Sequence, residues 1–98
     1  MIRYTTPTLI FKLPFEASYL SNAYINIKQS DVMIEKTLDD CTLSEKTLSV
    51  ILTQEDTGKL AAGKETRLQV RCTGNDNKKY ASKIKKLRVD DVLKEGVI

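Results

Sequence analysis

The chain has 98 residues, 41% apolar and 30% charged, with sixteen Lys/Arg against thirteen Asp/Glu for a net charge of +3. That is one ordinary domain, too apolar for a disordered segment and too short for two independent cores. No histidine is present, which removes Ser–His and Cys–His nucleophilic pairs and most catalytic zinc sites. The expectation is a non-enzymatic chain with no cofactor and no metal.

No apolar run approaches the roughly 18 residues a membrane span needs, so no membrane contact is expected. Met1-Ile2-Arg3-Tyr4-Thr5-Thr6-Pro7 lacks a basic-then-apolar leader, which predicts synthesis and folding in a cytoplasm. The charge is uneven. Residues 1–63 hold six Lys/Arg against eight Asp/Glu, net −2, and residues 64–98 hold ten against five, net +5.

In chain order, the first predicted strand is Thr8–Leu13, with Leu9, Phe11 and Leu13 on one face and Pro7 and Pro14 at its ends. Phe15–Ser21 reads as a connection with one helical turn, anchored by Phe15 and Leu20. Ala23–Gln29 follows, with Ala23, Ile25 and Ile27 inward and Tyr24, Asn26 and Lys28 outward. Ser30-Asp31 is a turn, and Val32–Thr37 pairs back as a hairpin. Asp39-Asp40 breaks the pattern. Cys41–Leu43 is a short strand before a turn at Ser44-Glu45-Lys46. Thr47–Thr53 is the clearest strand, with Leu48, Val50 and Leu52 on one side.

Thr53 and Asp56 have capping-box spacing, and Gly63 has the character of a helix stop. One or two helical turns are expected, docked by Leu60 and bridging two sheets. Gly58 weakens such a helix by ~1 kcal/mol relative to Ala. Thr66–Cys72 alternates, with Thr66, Leu68, Val70 and Cys72 inward and Arg67, Gln69 and Arg71 outward. Thr73–Asn77 is a turn. A return strand spans Lys79–Val89, with a shift of inward parity between Ile84 and Leu87 that predicts a bulge. Domain 1–91 ends at Asp90-Asp91, leaving a tail, 92–98.

Six or seven short strands with turns every 8–12 residues and one short crossing helix predict a small antiparallel β-sandwich. A barrel of the same strand number is the alternative. Cys41 and Cys72 are too few for a disulfide framework and are read as reduced, partly buried thiols, with a single disulfide as the alternative.

Catalytic and ligand-binding motifs are mostly absent from the sequence. Gly58, Gly63, Gly74 and Gly96 form no phosphate loop. Asp39-Asp40, Glu55-Asp56 and Asp90-Asp91 are adjacent residues, which on a strand face opposite ways and make poor acid–base pairs. Asn75-Asp76-Asn77 lacks the spaced oxygens of a calcium loop. The positive signal is Lys78, Lys79, Lys83, Lys85, Lys86 and Arg88, with no acid between Asn77 and Val89. It fits an anion-binding face or a lysine-rich edge that resists aggregation. Tyr80 is the cluster's one aromatic residue, so no stacking platform is visible.

Ile2-Arg3 with Thr5-Thr6-Pro7-Thr8, Leu13-Pro14-Phe15, Glu35–Cys41, Leu52–Thr57, Ala62-Gly63 and Gln69-Val70-Arg71 recur in an order and spacing that resembles a family of small proteins of phages and prophages of Gram-positive bacteria. The same stretches are similar to the immunoglobulin-like N-terminal domain of phage baseplate upper proteins, with its opening strand, short crossing helix and following "QVR"-like strand. The resemblance implies an immunoglobulin-like sandwich made in the bacterial host cytoplasm and assembled into a virion near the tail or baseplate. It also implies contacts with other phage structural proteins or with copies of itself. Arg67, Gln69, Arg71, the basic residues Lys78 to Arg88, and Val92, Leu93, Val97 and Ile98 of the tail are the candidate contacts. The alternatives are a nucleic-acid-binding accessory protein using 78–88, and a small inhibitor of a host factor.

Overall fold

The computed structural model describes residues 1–98. Strands are β1 (Thr8–Lys12), β2 (Leu20–Gln29), β3 (Val32–Thr37), β4 (Cys41–Ser44), β5 (Thr47–Ile51), β6 (Thr66–Gly74), β7 (Lys79–Ala81) and β8 (Lys85–Leu87). One helix, α1 (Gln54–Gly58), joins β5 to β6. The strands form two antiparallel sheets. The first has the order β1-β5-β4; the second has the order β3-β2-β6-β7, with β8 also on β6. The protein is a small β-sandwich, seven-stranded if β7 and β8 count as one interrupted strand.

The alternation read from the sequence sets which side chains meet. Ala23, Ile25 and Ile27 of β2, Leu48 and Val50 of β5, and Leu68 and Val70 of β6 are buried between the sheets, with Leu52, Leu60 and Val89. Leu9, Phe11 and Leu13 pack against them at the margin. The hairpins close where turn chemistry places them. Gln29 pairs with Val32 and Ser44 with Thr47, so Ser30-Asp31 and Glu45-Lys46 are two-residue loops. Ser30 and Glu45 have φ of 50° and 49°, as tight hairpins of this length require.

At the base of the second sheet Gln29 is buried. Its Nε2 donates to Ala61 O and Thr66 Oγ1, each at 2.8 Å, and its Oε1 accepts from Ala61 N–H at 2.7 Å. The side chain thus satisfies the backbone just after α1, whose polar groups would otherwise be stranded.

Three expectations change. The helix has one turn, within the one or two expected, but ends at Gly58, five residues before Gly63. After Lys59 the chain turns so that Leu60 is fully buried and Ala61 reaches Gln29. Gly63 instead holds a turn at φ 75°. Gly58 also has a packing role, since a Cβ there would overlap the ring of Tyr4. The return strand is not continuous from 79 to 89. Its register spans four positions on β6, from Cys72 to Leu68, and five on the return side, from Tyr80 to Lys85. One extra residue therefore lies at Ser82–Ile84, earlier than the Ile84–Leu87 shift predicted, and it turns Ile84 outward. Finally, β2 begins at Leu20, inside the stretch read as a connection; the helical turn there is a 3-10 turn at Ala17–Tyr19.

Candidate functional site

Two surfaces stand out, one on each side of the second sheet. The first is a groove at the open margin of the sandwich. β1 is an edge strand, hydrogen-bonded to β5 alone. Leu52 N–H donates to Pro7 O at 3.0 Å, and Leu13 N–H to Lys46 O at 2.7 Å. By the antiparallel alternation, Leu9, Phe11 and Leu13 bond toward β5, so the N–H and C=O groups of Thr8, Ile10 and Lys12 point away from the sheet. Across from this edge lies the edge formed by β7 and β8, bonded to β6 alone.

Between these edges is a groove of about 490 Å³, floored by Phe11, Leu13, Phe15, Val70 and Tyr80. Lys12 and Lys85 are its charged residues, and no acid lines it. Phe15 braces its end against Tyr19 and Tyr80, with ring centroids 5.3 and 5.1 Å apart. Ser82 shapes the facing edge. Its N–H donates to Val70 O at 2.8 Å, and its Oγ accepts from Val70 N–H at 3.0 Å, replacing the ladder bond lost at the bulge.

The second surface is the outward face of the second sheet. Lys28, Arg67 and Lys86 stand directly opposite one another on β2, β6 and β8. Tyr24 lies opposite Arg71, and Asn26 opposite Gln69. Lys79, paired with Thr73, shares this face.

The predicted contact residues are divided between these places. Arg67, Gln69, Arg71, Lys79 and Lys86 lie on the outward face. Lys85 points with Leu68 to the groove side, because residues in register share a face. Lys83 falls in the break between β7 and β8, Lys78 in the preceding turn, and Arg88 pairs with Asp90 at 2.9 Å. The run 78–88 is therefore not a single basic face. Lys28 and Tyr24, both read as outward, join this face from β2, 39 or more residues before Arg67 and Arg71 in sequence, a distance over which no local pattern brings them together. In the tail Val92 is half-buried, while Leu93, Val97 and Ile98 are exposed. The tail folds back. Arg3 Nη1 donates to Asp91 at 2.9 Å and Glu95 at 2.8 Å, and Gln54 exchanges two hydrogen bonds with the backbone of Ile98.

Cys41 and Cys72 are unpaired and half-buried, and burial pushes both thiols up. No group of three or more His, Cys, Asp or Glu residues is arranged to hold a metal ion. No helix is long and apolar enough to cross a membrane. The fold and surfaces define a small antiparallel β-sandwich with one open apolar margin and one basic sheet face. Comparison with protein-family models, curated proteins and solved structures gave no match.

Proposed function

We propose that this chain is a non-enzymatic structural protein of a phage or prophage, working through protein–protein contacts in the tail or baseplate region of a virion. The phage setting rests on the sequence resemblance. The observation that carries the contact role is the apolar groove between two edges without further strands. Such a margin presents free backbone donors and acceptors beside an apolar floor, the two requirements for adding a strand from another chain. Its volume of about 490 Å³ falls within the roughly 300–1,000 Å³ of binding clefts, enough for a few side chains of an incoming segment. Lys12 and Lys85 favour a segment carrying acidic residues. The exposed Leu93, Val97 and Ile98 offer a second contact to a neighbouring subunit.

Ile10→Pro tests this reading. The Ile10 N–H points away from β5, so its removal leaves the β1–β5 ladder intact while spoiling the free edge. The expected result is a folded protein, present in particles as wild type and lost from them as the variant, measured by mass spectrometry of particles from the encoding bacterium. Absence of the wild-type chain from particles overturns the virion role. Undiminished incorporation of Ile10→Pro overturns the edge as the contact.

A further inference from the structure

We infer that the outward face of the second sheet binds the phosphate backbone of single-stranded nucleic acid, separately from the groove and from the role proposed for it. Lys28, Arg67 and Lys86 form one cross-strand row in which each cation directly faces the next. Like charges in that relation destabilise a sheet, and the nearby acids do little to relieve it. Glu65 lies 3.9 Å from Arg67 and is 63% exposed, and Glu35 is engaged by Asn26 Nδ2 at 3.1 Å. Phosphates laid along the row would supply the missing negative charge.

The relief of the face has the shape of a track. Lys28, Ser30, Lys64 and Arg67, with Glu65, line a wholly polar hollow of about 480 Å³. A second hollow of about 190 Å³ shares Lys28 and Arg67 and continues past Asn26, Gln69, Met33 and Ile84. A third lies among Tyr24, Arg71 and Lys79. From Arg67 to Arg71 is roughly 13 Å at ~3.3 Å per strand residue. Cations therefore stand at both ends, with amides and apolar side chains between them. Tyr24, 40% exposed and directly opposite Arg71, presents its ring at the far end. A base stacks on such a ring whatever its identity. An acidic protein would satisfy the cations as well; a cation-lined track that ends on an exposed ring is the combination by which single strands are held, which favours nucleic acid.

The test is fluorescence anisotropy with labelled oligo(dT) of about 12 nucleotides, a length within the ~4–16 nucleotides that an OB fold of similar size occupies on a single strand. Three or four phosphate contacts predict a slope of log K against log salt of about −2 to −3, at about −0.7 per phosphate. Lys28→Gln with Lys86→Gln reduces that slope by about 1.4. The same double variant does not lower, and is expected to raise, the urea midpoint, because the opposed charges are gone. Tyr24→Ala weakens binding at least about fivefold with the slope unchanged. Absence of binding at low salt, or a slope unaltered in the double variant, overturns the inference. Equal competition by polyglutamate also overturns it and assigns the face to an acidic protein. Ile10→Pro leaves oligonucleotide binding intact, so failure of the groove and failure of this face are distinguishable.

Discussion

At the scale of single residues, the ion pair between Lys36 and Asp56 shows how one side chain can serve two elements. Lys36 Nζ lies 2.7 Å from Asp56 Oδ2, with the two side chains 18% and 12% exposed. The same carboxylate caps α1: Asp56 Oδ2 accepts from Thr53 N–H at 3.0 Å, and Asp56 N–H donates to Thr53 Oγ1 at 3.1 Å. The cap was legible in the sequence because its partners are three residues apart. The ion pair was not, because Lys36 sits on β3, twenty positions earlier. Burial pushes the Asp56 carboxyl up, but the bonds from Lys36 and Thr53 together outweigh it and hold it below the usual carboxylate range. A carboxyl depressed in the folded state adds stability above its unfolded pKa of about 3.9 and loses it as pH falls toward the folded value. Asp56→Asn is expected to cost about 1–3 kcal/mol at neutral pH. It should also shrink the loss of stability between about pH 5 and pH 3. Urea midpoints of both proteins across that range check this; parallel curves would deny Asp56 its share of the acid response.

At the scale of elements, the hydrophobic alternation of β2, β5 and β6 was readable from a period of two, and the structure keeps it. The break between β7 and β8 was readable only as a parity conflict, which put it between Ile84 and Leu87 rather than at Ser82–Ile84. Ser82 decides that place, since its hydroxyl can accept the Val70 N–H that an inserted residue leaves without a carbonyl. Gln69 Nε2 secures the same point by donating to Ser82 O at 3.0 Å. Ser82→Ala is therefore expected to cost about 1–2 kcal/mol and to speed hydrogen exchange at the Val70 amide about tenfold. Ser82→Thr keeps the acceptor and should restore protection. Exchange at Val70 unchanged in the alanine variant would mean that the hydroxyl does not close the bulge. The helix likewise matched its start signal and its one-turn length but not its stop at Gly63, because burial of Leu60 and the Gln29–Ala61 bonds turn the chain away first.

At the scale of the whole molecule, the two ends of the chain are fastened together. Arg3 N–H donates to Asp90 O at 2.9 Å, and Asp90 N–H to Met1 O at 2.8 Å. The Arg3 guanidinium reaches Asp91, Glu95 and the carbonyl of Gly58, and its side chain is only 12% exposed. Asp91 is held below the usual carboxylate range by the N–H of Val92 and by Arg3. Arg3→Gln removes the bridge. Trypsin cleavage after Lys94 is expected to accelerate several-fold, with a smaller change at Lys sites within the sheets. Equal rates in variant and wild type would show that Arg3 does not hold the tail.

The sequence by itself determined the class of fold. Inward parity, turn residues and the Thr53–Asp56 cap are encoded within a few neighbouring positions, and those local rules lead to a small antiparallel β fold, with the pairing into two sheets rather than a barrel decided by the tertiary structure. It also determined that residues 64–98 are basic, but not where that charge stands. Only the tertiary structure brought Lys28 and Tyr24 onto one face with Arg67, Arg71 and Lys86, and left Lys85 on the other side of the sheet at the groove. Strand pairing joins residues dozens of positions apart, and a single inserted residue reverses the face of everything after it. Surface function depends on both effects, and neither leaves a local mark in the chain.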